Sequence, residues 1–334
     1  MLAMQLSSPG AIAGQPLRAV ELPTPSPRAG ELLLRVAACG VCRTDLQLAE
    51  GDLAARRLPI VPGHQIVGHV IAVGEGVRGW QIGERAGVAW LAGTCGRCAR
   101  CREGRENLCA EATFTGWDRD GGYATHAVVR ADFALRLPET FADLAAAPLL
   151  CGGVIGYRSL AVSGVRPGQR LGLFGFGASA LLALQVARYW DCRVFVCTRS
   201  ESERARARAR GAEWAGGYDE PLPVALDAAI TFAPVGSVVV AALAALERGG
   251  TVAINAIHLD GIPAFPYDAL WWERSLRSVA NFTRQDARDL LDLAPLIPIR
   301  TEVDVYPLHE ANRALADLKE GRVTGAAVLR MPED

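Results

Sequence analysis

Four cysteines, Cys95, Cys98, Cys101 and Cys109, lie in the run G-T-C-G-R-C-A-R-C-R-E-G-R-E-N-L-C, a C-x2-C-x2-C-x7-C spacing. Thiolates so spaced surround one tetrahedral zinc and leave no coordination position open, so the chemistry they support is structural. An iron–sulfur cluster uses similar spacing. A disulfide cluster needs an oxidising compartment, and nine cysteines make an odd number for a disulfide framework. Zinc is therefore the expected occupant. Arg97, Arg100, Arg102 and Arg105, interleaved with the thiols, are expected to offset the excess negative charge of four thiolates.

A second pattern points to a nucleotide. In L-G-L-F-G-F-G-A-S-A, Gly175, Gly177 and Ala180 form G-x-G-x-x-A after an apolar run and at the start of a helical one. Gly175 permits a tight turn, Gly177 lets the backbone approach a pyrophosphate, and Ala180 allows close helix–strand packing. The amides of Ala178 and Ser179 then offer the positive end of the helix to the phosphates. A carboxylate about 20 residues past the glycines would hold the adenosine ribose of NAD, whereas an arginine accommodates a 2′-phosphate. Here R-V-F-V-C runs into Thr198, Arg199 and Ser200 with no acid, which favours NADP(H), with NAD(H) the alternative. Glu201 and Glu203 follow slightly later and would serve instead if the strand ended later.

Two kinds of element must position these groups. From Gln15 to about Leu150, short alternating strands such as Glu31–Ala37, Ile66–Val73 and Ala124–Val129 are broken by Gly and Pro, which predicts a small antiparallel barrel or sandwich. Beyond Leu150 the pattern changes to alternating strand and helix. Strands are predicted at Leu171–Phe174, Arg193–Cys197, Leu226–Thr231 and Thr251–Ile254. Helices are predicted at Ala178–Trp190 and from Ser202 to Arg210, the latter opened by a Ser200/Glu203 capping box. This is the pattern of a doubly wound parallel sheet. The arginines at 204, 206, 208 and 210 are expected to point to water.

Half the residues are apolar, 21% are charged and the net charge is −1, which suits a core-forming protein and argues against nucleic-acid or membrane partners. The apolar stretch Phe232–Leu246 is interrupted by Pro234 and is shorter than the roughly 20 residues a bilayer requires. It reads as a buried helix. The start M-L-A-M-Q-L-S-S-P-G lacks the pattern of a signal peptide, so a cytoplasmic location is expected. Lys319 is the only lysine. Schiff-base chemistry, a Walker A loop and a Tyr-x-x-x-Lys dyad are thereby excluded.

Cys42 in A-C-G-V-C-R-T-D-L, His64 in V-P-G-H-Q-I-V-G and Cys151 in P-L-L-C-G-G-V-I-G-Y each have an ordinary explanation, and spacing alone does not unite them. Cys39 and Cys42 make a C-x-x-C without the βαβ setting of a redox motif. The segments G-V-C-R-T-D-L, P-G-H-Q-I-V-G, the four-cysteine run, D-G-G-Y-A, P-L-L-C, the glycine turn and P-L-H-E-A-N-R-A-L nevertheless occur in one order along the whole chain. In that order the chain resembles the zinc-dependent medium-chain alcohol dehydrogenases.

The resemblance implies an α/β protein with a GroES-like β-barrel catalytic domain over 1–150, carrying a structural-zinc lobe near 92–112. A Rossmann cofactor domain over 151–285 would follow, and then a segment, 286–334, returning to the catalytic domain. It implies that Cys42, His64 and Cys151 ligate a catalytic zinc, giving two zincs per chain. Thr44 would take the alcohol proton, Asp45 would orient His64, and Arg43 would contact the pyrophosphate. Trp90, Leu91 and Trp117 would line the pocket for a small, primary alcohol or aldehyde. Relatives form homotetramers or homodimers.

Two positions depart from the family pattern. Gln65 replaces the glutamate that usually follows the zinc histidine, which would leave the metal more electrophilic and slow the exchange of product for water. Gln47 stands where many relatives carry a proton-relaying histidine, and an amide does not titrate near neutrality. A zinc-free quinone or enoyl reductase of the same fold would lack the seven candidate ligands. A non-catalytic zinc- and dinucleotide-binding sensor would keep them without turnover.

Overall fold

A computed structural model describes residues 1–297 and 299–332 and resolves the chain into two compact units. The first comprises Met1–Cys151, Thr283–Pro295 and the segment from Arg300 onward. The second is Gly152–Phe282 with a short stretch from Leu296.

The first unit is organised around one long strand, Glu31–Gly40. It pairs antiparallel with Gln65–Val73 on one side. On its other side it pairs with His126–Arg130 near its start and with Ala326–Arg330 near its end. Arg85–Val88 and Leu135–Arg136 extend the sheet one way, and Val303–Pro307 the other. Leu32, Leu34 and Val36 are buried and Arg35 is exposed, the period-two pattern that a half-covered sheet requires. The C-terminal strand thus lies beside Ala38–Gly40, immediately before Cys42. Lys319 ends the helix Ala311–Lys319 and pairs with Glu50 at 2.7 Å.

The second unit holds six parallel strands in the spatial order Trp214–Gly216, Arg193–Cys197, Arg170–Phe174, Leu226–Thr231, Leu246–Ile254 and Ser275–Ser278. In chain order this is 3-2-1-4-5-6, with the direction of winding reversing at the strand that feeds the glycine turn. The three central strands Arg193–Cys197, Arg170–Phe174 and Leu226–Thr231 are mostly apolar and buried, as strands covered on both faces are. The stretch Phe232–Leu246 supplies the helix Gly236–Ala244, whose Val238, Val239, Ala242 and Leu243 are buried. Asp143–Ser163 is long and apolar enough to cross a membrane by length and composition, but 56% of that window is buried inside the protein.

The arginine-rich helix, Glu201–Ala209, meets expectation only in part: Arg208 is exposed, whereas Arg204 and Arg206 are half-buried. Arg204 pairs with Glu220 and Glu201, Arg206 donates to the Phe176 carbonyl and Arg208 to the Ala215 carbonyl. Side chains two apart on a helix face opposite ways, so alternate arginines cannot share one solvated face.

The cysteine lobe is fastened within the first unit by Glu106. Its carboxylate accepts from the Arg284 amide at 2.8 Å and from Nη2 at 2.6 Å, at the first turn of the helix Arg284–Leu293. Arg284 also stacks on Phe133 at 4.3 Å. Burial raises the Glu106 pKa, but Arg284 outweighs it and holds the carboxyl below the usual range. Glu106→Ala should destabilise the protein by about 1.5–3 kcal/mol, the worth of hydrogen bonds to a charged group. It should also weaken the affinity of the four-cysteine cluster for added zinc; denaturant unfolding and competition with a chromogenic chelator measure the two effects.

Candidate metal centre and dinucleotide-binding turn

Cys42 follows the central strand and caps the helix Arg43–Glu50, whose third residue is Asp45. The Asp45 carboxylate is buried and accepts four hydrogen bonds. Oδ2 takes the Cys42 amide at 2.9 Å and the Tyr123 hydroxyl at 3.2 Å. Oδ1 takes the Gly63 amide at 3.2 Å and faces His64 Nδ1 at 3.1 Å. A carboxylate acceptor places the imidazole proton on Nδ1, so Nε2 presents its lone pair outward.

Nε2 lies 3.4 Å from Cys151 Sγ, and Cys151 Sγ lies 3.8 Å from Cys42 Sγ. Zinc bonds of about 2.3 Å to sulfur and about 2.0–2.1 Å to nitrogen, at tetrahedral angles, separate two sulfurs by about 3.8 Å and sulfur from nitrogen by about 3.6 Å. The three side chains therefore fit one zinc and leave a fourth position for water or substrate. Cys39 is not part of this set. It is buried, with its thiol 3.6 Å from the Gly40 carbonyl.

The loop bearing His64 is held by D-G-G-Y-A. Gly121 N–H donates to the Val61 carbonyl at 2.7 Å, Gly122 to Gly63 at 2.8 Å and Tyr123 to Pro62 at 3.0 Å. Gly63 has φ +95°, and a Cβ there would lie 2.3 Å from the Tyr123 ring, while one at Gly121 would lie 2.0 Å from the Gly63 oxygen. Two backbones approach so closely that only glycine fits. Tyr123, which the sequence reading gave no role, is thereby a direct partner of Asp45; its motif was visible, its hydrogen bond was not.

Around this centre, Thr44 Oγ1 lies 3.8 Å from Cys42 Sγ, and Arg43 is exposed at the start of the helix. Gln65 is buried at the start of its strand, with Oε1 where a Cβ at Gly40 would stand, 2.5 Å away. Gln47 is half-buried one turn beyond Arg43. The Trp90 ring is 6.1 Å from His64, 4.6 Å from Phe114 and 6.0 Å from Trp117, onto which Arg56 stacks at 3.8 Å. Phe114 joins this aromatic wall without having been anticipated. Leu91, buried in the adjoining strand, is 2% exposed.

In the lobe, Cys95 Sγ lies 3.9 Å from Cys101 and 3.6 Å from Cys109, and Cys98 lies 3.6 Å from Cys101, again the spacing of one tetrahedral zinc. The amides of Arg97 and Cys98 lower the Cys95 thiol to about 7, whereas burial raises Cys101 to about 11. Two of the interleaved arginines pair with surface carboxylates, Arg97 with Glu111 and Arg100 with Glu103.

In the second unit, Gly175 has φ +92°, and a Cβ there would lie 2.9 Å from the Ala233 amide. At Gly177 a Cβ would meet nothing within 4 Å, so the backbone faces open space. The helix Ala178–Tyr189 begins there without a side-chain cap; Ala178 and Ser179 are half-buried and Ala180 is fully buried. An uncapped helix start behind an open glycine suits a pyrophosphate. Thr198, buried, directly follows the next strand, Arg193–Cys197, and Arg199 is exposed. Only half of the expected capping box forms. Ser200 Oγ accepts from the Glu203 amide at 3.3 Å, but the Glu203 carboxylate turns to the Thr198 hydroxyl.

Residues 28–139 match the alcohol dehydrogenase GroES-like domain. A probable alcohol dehydrogenase, AdhA, of Mycobacterium tuberculosis is 49% identical over 98% of this chain and 97% of its own length. An alcohol dehydrogenase of Geobacillus stearothermophilus is 33% identical over 94% of this chain and 95% of its own. The cobalt- and zinc-bound thermostable alcohol dehydrogenase of Pyrobaculum aerophilum superposes with a TM-score of 0.90 at 25% identity, covering 99% of both chains.

Two outcomes follow from the Asp45 network. Tyr123→Phe should cost about 1.5–3 kcal/mol of stability and weaken zinc at the three-residue site by about tenfold, read by unfolding and by chelator competition. The second concerns protons. In the metal-free site, burial lowers the His64 pKa, but Asp45 and Cys42 outweigh it and raise the imidazole to about 10. A hydrogen bond from Cys151, with His64 alongside, holds Cys42 low, and the same bond pushes Cys151 up. His64, raised to about 10, must therefore lose a proton before its ring can bind a metal ion. Zinc added at this site should release protons, and the release should fall as the pH rises through about 10; indicator-dye titration in weak buffer counts them.

Proposed function

The chain belongs to the zinc-dependent medium-chain alcohol dehydrogenase family, and from that premise we propose how its residues divide the work. The protein is an oxidoreductase that interconverts alcohols and carbonyl compounds with a nicotinamide dinucleotide. Cys42, His64 and Cys151 would hold a zinc ion that would supply Lewis-acid activation of the substrate oxygen, with a bound dinucleotide supplying the hydride chemistry.

The remaining steps fall to the chain itself. Two thiolates and a neutral imidazole balance the charge of a divalent ion, so substrate oxygen is polarised without being trapped. Asp45 keeps the His64 proton on Nδ1 and the ring in place. Thr44, two residues from the capping position, receives the alcohol proton. Gln47 does not titrate, so that proton leaves through water or another group. Gln65, neutral where relatives carry an acid, adds no negative charge beside the centre. Gly175, Gly177, Ala178, Ser179 and Ala180 hold the pyrophosphate, and Thr198 and Arg199 favour NADP(H).

Cys95, Cys98, Cys101 and Cys109 hold a second, structural zinc. The wall of Trp90, Trp117 and Phe114, with Leu91 behind it, suits small primary alcohols and their aldehydes. Nine free cysteines agree with a reducing, cytoplasmic setting, and a homotetramer is the assembly the resemblance favours. The single observation that carries the reading is the approach of Cys42 Sγ, Cys151 Sγ and His64 Nε2 to 3.8 and 3.4 Å.

The test combines metal analysis with initial rates on alcohols and aldehydes of increasing chain length, using NADP+ or NADPH and then NAD+ or NADH. The expected result is two zincs per chain, turnover, and a lower KM for the phosphorylated cofactor. Cys151→Ala should keep one zinc and lose more than about a hundredfold in kcat/KM, beyond what loss of a supporting contact costs. Two zincs and tight cofactor binding with no turnover across the panel would instead indicate a sensor.

A further inference from the structure

The corner at the end of the strand Arg193–Cys197 is where a doubly wound sheet receives the adenosine ribose. The chain places no acid there, only Thr198, which is 3% exposed and whose amide is bonded to the Gly216 carbonyl at 2.9 Å. A carboxylate nevertheless occupies the corner. Glu203, five residues later in the first turn of the helix Glu201–Ala209, accepts the Thr198 hydroxyl proton. Its own amide is fixed to Ser200 Oγ. The side chain is thus anchored at both ends, and it points back toward the strand.

Two arginines share this corner and differ in availability. Arg204, with a side chain 19% exposed, is engaged by Glu220 at 2.9 Å, by Glu201 at 3.2 Å and by the Arg199 carbonyl at 3.3 Å. Arg199 is exposed and lies next to Thr198. Tyr218 reports that Arg199 and Glu203 act on the same space: burial raises its hydroxyl pKa, Arg199 lowers it and Glu203 raises it.

We propose that Glu203 is a specificity-determining residue for the dinucleotide: its carboxylate, held by Thr198, accepts the adenosine-ribose hydroxyls of NAD(H) and opposes the 2′-phosphate of NADP(H) that Arg199 attracts. The inference rests on the reading of the second unit as a nicotinamide-dinucleotide domain. A ribose diol donates to a carboxylate, whereas a phosphate brings like charge to within a few ångströms of it. Preference between the cofactors is then a balance of two neighbouring charges, and the protein uses both.

Binding, not turnover, tests this. Dissociation constants of NAD+ and NADP+ are measured calorimetrically on the zinc-loaded protein and its variants, with 5′-AMP and 2′-AMP as probes that lack the nicotinamide. Glu203→Gln should tighten NADP+ by about tenfold and loosen NAD+. Arg199→Ala should weaken NADP+ alone by a similar factor. Thr198→Val, which removes the anchor and keeps the charge, should weaken NAD+. A Glu203→Gln protein whose ratio of the two constants stays within about twofold of wild type, or in which both constants move together, overturns the inference and leaves the dinucleotide reading intact. A wild-type protein that binds neither dinucleotide overturns both.

Discussion

One buried carboxylate organises the catalytic unit. Asp45 is cut off from water, and a charge so placed is tolerable only when its oxygens are filled with donors. Four groups fill them, from three separate segments: the Cys42 amide, the Gly63 amide with the His64 imidazole, and the Tyr123 hydroxyl. Satisfying this charge therefore brings Cys42 and His64 onto one centre and fixes which nitrogen of His64 faces it. The metal geometry is in this sense a by-product of solving a desolvation problem. Glycine makes the solution sterically feasible, since Gly63 and Gly121 allow the two loops to touch backbone to backbone.

Carboxylates at the starts of helices recur as positioning devices, each used differently. Asp45 closes a capping box onto Cys42 and also serves the metal site. Asp286 closes one with Thr283, and Glu106 meets the same helix end through the Arg284 amide. Each gains from the partial positive charge of exposed amides. Glu203 stands at the equivalent point of its helix but turns to Thr198. The same local rule thus produces a cap where the side chain has no better donor, and a reaching carboxylate where a hydroxyl lies within range.

These uses explain which parts of the structure were legible in the sequence. The strands Arg193–Cys197 and Leu226–Thr231 match expectation to the residue, because each carries a short buried apolar run, Val194–Cys197 and Ala228–Ile230, of the kind a strand covered on both faces requires. The helix Arg43–Glu50 was not read, since its cap is a cysteine and its box is Cys-x-x-Asp, not Ser-x-x-Glu. The four-cysteine lobe is legible because its ligands are close in sequence. Cys42, His64 and Cys151 are not, because 87 residues separate His64 from Cys151 and only the fold joins them; the resemblance supplied what spacing could not. Tyr123 and Phe114 escaped for a related reason, each acting through a contact between separate loops.

The cofactor corner carries this furthest. Read as a string, Thr198-Arg199-Ser200 lacks an acid, and the inference to NADP(H) follows from that lack. Folded, the first helical turn returns Glu203 to the strand end, so an acid absent at one position is present in the space that position serves. Sequence rules for this corner assume that the recognising side chain sits at the strand terminus. A helix start immediately afterwards relaxes the assumption, because its third residue folds back over the strand end. The charges presented at this corner, Glu203 bonded to Thr198 and Arg199 beside it, are therefore a property of the turn as a whole.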